Sequence, residues 1–340
     1  MNILIVGMGG VGLHYLELLR KFKDINNIYT IDIVKFPNKS IKQITLKSII
    51  QKKVKIDFAI ICTPSGLHYK FAKIFIKRKI DTLIEKPFVL SLSHAKELIK
   101  LKKKYNTKCW VAFQNRYNSA VGQGLRVVQE KKFGRAFFVD AALYWHRSKK
   151  YYSNSWRGKY SLDGGVLFNQ SIHLLDMLIY FFGPIKKFNV VAAFNKKKLQ
   201  AEDLITLNFV HKNNVISNLK ATTRANRDYR MSMDILCEKG RFLIKDISMN
   251  KIFYFTKNHL KIDKKYSEYF VKGLGPKSGM GNGHMKILKE FLNRKIRKSS
   301  KNLDIEKNIY VLKIIHSVYN SIFKEKKYSL IKDKEFKYKK

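Results

Sequence analysis

Hydrophobic and polar positions follow two different rhythms along this chain. In residues 1–115, short apolar runs alternate with stretches of helical period. The apolar runs lie at residues 3–6, 28–33, 58–62, 82–84 and 109–113, and the helical stretches at 13–22, 69–77 and 92–104. Strands buried on both faces have continuous apolar sequences, so this alternation predicts a doubly wound parallel sheet of the α/β class.

After about residue 118 the apolar period becomes two. A helix is predicted over 120–131. Further along, Ile205, Leu207 and Phe209 alternate with polar residues, which predicts a strand. The turn-forming Asn213-Asn214 separates this strand from its hairpin partner at 215–219. Strands are also predicted at 231–235 and 242–244, a glycine-rich loop at 273–283, and helices at 285–295 and 305–323. We therefore predict two domains, 1–117 and 118–330, the second an α+β domain with a large open, mostly antiparallel sheet.

The net charge of +44, from 69 basic and 25 acidic residues, makes nucleic-acid binding an alternative to consider. The lysines are scattered through nearly every segment, which favours a general lysine bias over one designed stripe. We therefore expect no specific nucleic-acid partner, although the positive field would steer anionic substrates. A phosphate-binding protein driven by net charge would instead show steeply salt-dependent nucleic-acid binding.

Other classes of site have little support in the sequence. The three cysteines, Cys62, Cys109 and Cys237, form no Cys-x-x-Cys pair, and no grouping of histidines has metal-ligand spacing. The longest apolar run, 174–182, is too short to span a bilayer, and the N-terminus resembles no secretory signal. We expect a soluble cytoplasmic protein with no metal and no membrane partner.

The strongest local motif is Gly7-Met8-Gly9-Gly10-Val11-Gly12, between a predicted strand and a predicted helix. Glycines at this spacing permit a tight turn and close approach to a pyrophosphate at the helix N-terminus. Asp32 ends the next strand, twenty residues after Gly12, where a carboxylate would bind the adenosine ribose hydroxyls. The pattern predicts a Rossmann domain that binds NAD, and Lys35 keeps NADP as an alternative.

Four further stretches lie in a specific order. They are Cys62-Thr63-Pro64-Ser65-Gly66-Leu67-His68, Glu85-Lys86-Pro87, Ser155-Trp156-Arg157-Gly158, and Asp163-Gly164-Gly165 with Asn169, His173 and Asp176. Together they resemble the motifs of the Gfo/Idh/MocA oxidoreductases, which join a Rossmann domain to an open-sheet α/β domain. The resemblance implies that the first stretch, with Cys62, Thr63, Pro64 and His68, contacts the dinucleotide. It also implies that Trp156 and Arg157 contact the cofactor, as does Glu85, and that Lys86 lies beside the nicotinamide and the substrate, before a cis bond at Pro87.

The residues themselves suggest alcohol oxidation, which needs a base for the hydroxyl proton while a hydride leaves. Lys86 ends a buried strand, and dehydration would lower its pKa toward the range of a working base. Asn169 and His173, four residues apart, are predicted to lie on one face of one helix. His173 would relay a proton or bind the reacting oxygen, Asn169 would position the substrate, and Asp176 would orient its neighbours.

A narrower resemblance concerns the substrate. Phe113-Gln114-Asn115-Arg116-Tyr117-Asn118 and Asn169-Gln170-Ser171-Ile172-His173 resemble the branch that oxidises C3 of nucleotide-activated N-acetylhexosamines or their uronates for bacterial surface polysaccharides. In that branch Gln114 would contact the cofactor. Arg116 is equally compatible with binding an anionic substrate group and with a surface position near the domain junction. Arg224, Arg227 and Arg230 could reach a diphosphate, but a solvated sheet edge explains them better.

The sequence therefore predicts an NAD-dependent sugar dehydrogenase acting on a small-molecule sugar or nucleotide sugar. A dehydrogenase of a free sugar or inositol is one alternative. A catalytically silent NAD-binding regulator is another, because the family that the chain resembles includes a corepressor. The presence of Lys86 and His173 favours an enzyme. An open sheet of this kind also suggests a homo-oligomer, either a dimer or a tetramer.

Overall fold

The computed structural model describes residues 1–35, 41–153, 156–194, 200–256, 259–262, 282–293 and 302–324. Most of the glycine-rich loop predicted at 273–283 and the predicted motif residue Ser155 lie outside these ranges.

The first sheet is parallel and has six strands. They are β1 (Asn2–Val6), β2 (Asn27–Ile31), β3 (Lys42–Gln43), β4 (Phe58–Ile61), β5 (Asp81–Ile84) and β6 (Cys109–Val111), in the spatial order β3-β2-β1-β4-β5-β6. The intervening helices are α1 (Gly10–Leu19), α2 (Leu46–Ile50), α3 (His68–Lys77) and α4 (Leu92–Tyr105). The central strand is fully buried at Ile3, Leu4 and Ile5, as its continuous apolar run predicts. The doubly wound prediction is confirmed, and the strand order reverses between β1 and β4, where such sheets bind ligands.

The second sheet has eight strands and is mostly antiparallel. They are β7 (Ala136–Tyr144), β8 (Ile185–Ala193), β9 (Leu204–His211), β10 (Ile216–Thr222), β11 (Arg230–Cys237), β12 (Gly240–Lys245), β13 (Lys251–Thr256) and β14 (His259–Ile262), in the order β14-β13-β12-β11-β7-β10-β9-β8. The predicted hairpin is β9–β10, with Leu207 opposite Leu219. The pairing of β10 with β7 is parallel, which makes the sheet mixed.

The other α-helices of the described residues follow the parallel sheet in the chain. They are α5 (Ser119–Gln129), α6 (Lys149–Tyr152), α7 (Val166–Asn169) and α8 (Ile172–Phe182), and after the next gap α9 (Gly283–Leu292) and α10 (Ile305–Lys324). Helix α8 is buried along nearly its whole length, which explains why its sequence is apolar on all sides. Helix α5 packs on β12 and β13, α7 packs on β9 and β10, and α8 packs on β10.

The last two helices return to the parallel sheet. The amide of Val111 in β6 donates to Leu303 O at 2.9 Å, and the Phe291 ring in α9 lies 5.6 Å from that of Trp110. Helix α10 packs on α4 as well as on α8. Residues from both ends of the chain therefore build the core of the first half. The domain boundary between residues 117 and 118 stays a prediction.

The structure corrects one prediction of secondary structure. Helix α7 ends at Asn169 and α8 begins at Ile172, so Asn169 and His173 do not share one helix. Ser171 causes the break because its amide and its hydroxyl both donate to Val166 O, at 2.8 and 3.0 Å. These bonds replace the regular pairing between residues four apart.

Candidate active site

The glycine motif forms a tight turn between β1 and α1. Gly7 has a φ of +90°, and a Cβ there would lie 2.8 Å from the Cys62 carbonyl group. A Cβ on Gly12 would lie 2.0 Å from Gly7 O, so both positions require glycine. No heavy atom comes within 4 Å of the Cβ positions of Gly9 and Gly10 in the described chain. The turn therefore leaves open space at the N-terminus of α1, where amide donors suit a pyrophosphate.

Asp32 lies beside this turn, immediately after β2. Its carboxylate accepts from the Met8 amide at 2.5 Å and from the Val34 amide at 2.9 Å, which fixes its orientation. The side chains that follow are exposed despite being apolar: Ile33 is 102% exposed and Val34 64%. A fixed carboxylate next to exposed apolar side chains suits an adenosine, whose ribose bears hydroxyls and whose base is flat and apolar.

The loop after β4 brings Cys62, Thr63 and Pro64 to the same edge. The backbone of Cys62 and Thr63 packs directly on Gly7. His68 is buried, and its Nδ1 and Nε2 lie 2.8 Å from Pro87 O and from Thr63 O respectively. The ring thus joins this loop to the turn after β5. Its predicted contact with the cofactor stays a prediction.

Lys86 follows β5, and its peptide bond to Pro87 is cis. Its half-buried side chain crosses to the second half of the molecule, where Nζ donates to Asn169 O at 2.7 Å. Burial is the main effect on the Lys86 pKa and lowers it, the charges of Arg157 and Arg147 lower it further, and Glu85 and Asp163 partly oppose this. The pKa of Lys86 lies below its ordinary value, as a general base requires.

Glu85 is a buried carboxylate directly behind Lys86. It accepts from the Tyr15 hydroxyl at 2.8 Å and from the Lys86 amide at 3.2 Å, and its Oε1 lies 3.4 Å from His284 Nε2. Burial raises the Glu85 pKa, but the bond and charge of His284, the Lys86 charge and the Tyr15 bond outweigh it and lower the pKa. Glu85 is therefore an ionised counter-charge for Lys86.

His284 is a residue that the sequence analysis missed. It lies in the first turn of α9, is 2% exposed, and packs edge-on against Tyr15 with ring centroids 5.2 Å apart. A Cβ on Gly283 would lie 2.0 Å from Gln114 O, so glycine is needed for this close approach. No recognised motif surrounds His284, and only the glycine before it gave a weak signal.

His173 lies in the first turn of α8 and is 6% exposed. Burial, then the charges of Lys86 and His284, lower its pKa well below the ordinary histidine value, so the ring is neutral. The Gln114 amide Nε2 lies 3.4 Å from His173 Nε2, an arrangement that favours the tautomer with its proton on Nδ1. Among the described residues, Nδ1 has no hydrogen-bond partner. It is therefore available to donate to a substrate.

Asn169 is oriented by Asp163. The Asn169 Nδ2 donates to Asp163 Oδ1, and Asp163 also accepts from the Gly158 amide at 2.8 Å. Asp163 is buried, and burial raises its pKa against the opposing effect of the Gly158 amide and of Arg157. The predicted candidates Lys86, Asn169 and His173 thus lie close together in the structure. They belong to three separate elements: the end of β5, α7 and α8.

Arg116 does not lie at the surface. It is buried in a pair with Asp176, to which it donates two hydrogen bonds, from Nε to Oδ2 at 2.8 Å and from Nη2 to Oδ1. It also donates to Asn302 O at 2.8 Å and to Asn308 Oδ1 at 2.7 Å. This corrects the surface interpretation. The contacts are all internal, so the geometry gives no support to a bond between Arg116 and the substrate, and Asp176 serves as its counter-charge.

Two family models match the chain, over two consecutive stretches. The model described as an oxidoreductase family with an NAD-binding Rossmann fold matches residues 1–113, and the GFO/IDH/MocA C-terminal domain matches residues 125–243. The chain belongs to the Gfo/Idh/MocA family. This is an oxidoreductase family with an NAD-binding Rossmann fold, and the glycine turn, Asp32 and the open space at α1 fit that cofactor.

Individual proteins match over part of the chain. The uncharacterised oxidoreductases YdgJ and YhhX of Escherichia coli are 27% identical over 128 residues and 25% over 129, in each case 38% of this chain and 36% of the relative. The aligned region thus spans about a third of these relatives.

None of the described helices is long and apolar enough to cross a membrane.

Solved structures share the fold over nearly the whole chain. The WlbA dehydrogenase of Chromobacterium violaceum, in complex with NADH and UDP-GlcNAcA, is 24% identical with a TM-score of 0.79 and covers 94% of this chain and 93% of its own. Its counterpart from Bordetella pertussis is 20% identical with a TM-score of 0.80, covering 95% and 97%. A levoglucosan dehydrogenase bound to NADH is 19% identical, with a TM-score of 0.79 and coverage of 96% and 97%.

Proposed function

We propose that this oxidoreductase is a dehydrogenase that oxidises a secondary alcohol of a sugar, namely C3 of a nucleotide-activated N-acetylhexosamine or its uronate, in surface-polysaccharide biosynthesis. The observation that carries the proposal is the half-buried Lys86, whose pKa is lowered mainly by burial and whose Nζ lies 2.7 Å from Asn169 O. The WlbA structures with NADH and UDP-GlcNAcA support the choice of substrate.

The residues proposed to hold NAD lie along one edge of the parallel sheet. The turn from Gly7 to Val11 would bind the pyrophosphate, and Asp32 would bind the adenosine ribose. The loop at Cys62, Thr63 and Pro64 would bind the nicotinamide half. The other proposed contacts of that half are Glu85, Gln114, Trp156 and Arg157. When bound, NAD accepts a hydride from the carbinol carbon of the substrate.

Lys86 is the proposed base. Its neutral amine accepts the hydroxyl proton as the C–H bond breaks, which leaves a carbonyl product and an ammonium group. Asn169 O and the charges of Glu85 and Asp163 stabilise that ammonium. The neutral His173 ring donates from Nδ1 to the substrate oxygen, and the Asn169 side chain, held by Asp163, positions the sugar.

A free sugar is the second candidate substrate, since the levoglucosan dehydrogenase fits this fold with a TM-score as high as that of a WlbA structure. A silent NAD-binding regulator is a third candidate, and here the half-buried lysine with its lowered pKa favours catalysis over binding alone.

A substrate panel tests the proposal. The purified protein is incubated with NAD and each of UDP-GlcNAc, UDP-GlcNAcA, glucose, myo-inositol and levoglucosan, and NADH formation is followed by absorbance. We expect turnover of UDP-GlcNAcA or UDP-GlcNAc at a kcat/KM at least tenfold above that of any free sugar. Oxidation of free sugars alone would contradict the substrate class, and NADH binding without any turnover would favour the regulator.

A further inference from the structure

Two arginine side chains near the site are stacked between aromatic rings. The Arg147 guanidinium carbon lies 4.7 Å from the centroid of Trp145 and 5.5 Å from that of Tyr151. The Arg157 guanidinium carbon lies 4.0 Å from the same Tyr151 centroid and 4.2 Å from that of Trp156. We refer to these five residues as the arginine stack. Stacking fixes the plane of each guanidinium and leaves its edge, with the N–H donors, available for bonding.

The arginine stack adjoins Lys86 through a short chain of contacts. The Tyr151 hydroxyl accepts from Gln170 Nε2 at 3.3 Å, and Gln170 follows Asn169, whose carbonyl accepts the Lys86 Nζ bond at 2.7 Å. The positive charges of Arg157 and Arg147 both lower the pKa of Lys86. Two cations therefore border the proposed reaction centre.

Arg157 differs in its counter-charge from two other stacked arginines. Arg116 pairs with Asp176, and Arg241, which stacks on Phe255 at 4.6 Å, pairs with Asp234 at 2.5 Å. In the part of the chain that the structure describes, Arg157 forms no salt bridge, and its Nη1 donates to the uncharged Tyr151 hydroxyl.

Arg147 is only weakly neutralised. Its Nη1 donates to His146 O at 2.6 Å and lies 3.2 Å from Asp228 Oδ1, and its side chain is 21% exposed. Asp228 pairs with Arg147, but Asp163 acts on Arg157 only at longer range than an ion pair, and it also accepts bonds from the Gly158 amide and from Asn169. The Arg157 guanidinium therefore keeps a local excess of positive charge beside the proposed reaction centre. A bound anion would remove that excess, since charge-assisted bonds to a planar guanidinium are strong and directional.

We propose that Arg147 and Arg157 form an anion subsite that binds an oxyanion of the substrate, either the carboxylate of a hexosaminuronate or the diphosphate of the nucleotide. This inference rests on the proposed function. It places in the arginine stack the role for which the sequence offered Arg116, and it extends the role of Arg157 beyond the predicted contact with the cofactor.

Three variants and a control test the subsite. Arg157→Gln and Arg147→Gln remove one charge each, Arg157→Lys keeps the charge but loses the planar fork, and Arg241→Gln removes a stacked arginine on β12. KM and kcat are measured with UDP-GlcNAcA and with UDP-GlcNAc, and the Kd for NADH is measured by fluorescence. We expect Arg157→Gln to raise KM about tenfold to a hundredfold, as for a lost bond to a charged group, with Arg157→Lys intermediate and Arg241→Gln unchanged.

The two substrates separate the two sources of the anion. A rise in KM for UDP-GlcNAcA alone supports the carboxylate, and an equal rise for both substrates supports the diphosphate. The subsite is overturned if KM does not change, or if Arg147→Gln, at the arginine with no predicted cofactor contact, raises the Kd for NADH as much as it raises KM. Unchanged KM values with active nucleotide sugars would leave the proposed function standing, whereas a wild type that oxidises only neutral sugars would overturn both.

Discussion

At the scale of the residue, the chemistry depends on how neighbouring charges set the protonation of Lys86. Burial and two arginines favour the neutral amine, while Glu85 and Asp163 favour the ammonium. The sequence identified Lys86 through the Glu-Lys-Pro stretch and its position at the end of a predicted strand. It did not identify His284, and of the arginine stack it identified only Trp156 and Arg157, since proximity to Lys86 depends on contacts between segments far apart in the chain.

The pH dependence of kcat tests this balance. Arg157→Gln removes a charge that lowers the Lys86 pKa, so the acidic limb of the kcat profile should move to higher pH. Glu85→Gln removes a charge that raises the Lys86 pKa, so the limb should move to lower pH. The profiles are measured at saturating substrate for both variants and the wild type. Shifts of the same sign in both variants would contradict the role of Lys86 as the titrating base.

The buried pair of Arg116 and Asp176 makes a prediction about stability. Asp176→Asn leaves the Arg116 charge buried with neutral partners only, and we expect a loss of about 3–5 kcal/mol in the free energy of unfolding. The matched control Asp234→Asn breaks a more exposed arginine pair and should cost no more than about 1 kcal/mol. Urea denaturation followed by tryptophan fluorescence measures both. Equal losses would show that Arg116 is well solvated.

At the scale of the element, the short helix α7 carries Asn169 and depends on the turn before it. The backbone of Gly165 packs against the Glu202 carboxylate, which accepts from the Leu167 amide at 2.9 Å and so holds the start of the helix. The apolar periods predicted five of the six strands of the first sheet and four of the eight described strands of the second, where burial shows in the sequence. They did not predict the break at Ser171, which depends on a side-chain bond that no period reveals.

Gly165→Ala tests how tightly this turn is packed. The new Cβ would lie 1.8 Å from Glu202 Oε2, so we expect a loss of about 2 kcal/mol or more in stability and at least a tenfold loss in kcat/KM as α7 shifts. Gly122→Ala in α5 is the control: nothing described lies within 4 Å of its Cβ, and alanine favours helix by about 0.5–1 kcal/mol. A Gly165→Ala protein with wild-type stability and activity would contradict the packing.

At the scale of the whole molecule, the C-terminal helices connect the two sheets to the site. Tyr319 in α10 donates to the Glu202 carboxylate at 2.7 Å, and His284 in α9 contacts Glu85. The sequence predicted these helices but not their return to the parallel sheet, because helical period indicates which face is buried and not against what. The charge of +44 was a poor guide to fold, since its lysines occur in nearly every segment of the sequence.

Glu202 gives the folded protein a predicted dependence on pH. Burial raises its pKa to about 7, above the ordinary value of 4.5 that applies when the chain is unfolded. The folded state therefore binds the proton more tightly, and this contribution to stability is complete below pH 4.5 and is lost as pH rises through 7. We expect the wild type to lose up to about 3 kcal/mol between pH 5 and 8 relative to Glu202→Gln. Urea denaturation at both pH values measures this, and parallel changes in the two proteins would contradict a protonated Glu202.

The most direct test of the account is the Lys86→Ala variant, with turnover and NADH affinity measured on the same preparation. The account predicts a fall in kcat of about a hundredfold to ten-thousandfold, the contribution of a general base, with a Kd for NADH within a few-fold of the wild type. Lys103→Ala, at a side chain 60% exposed, should leave both values unchanged. Full turnover by Lys86→Ala would show that another group takes the proton and would contradict the proposed mechanism.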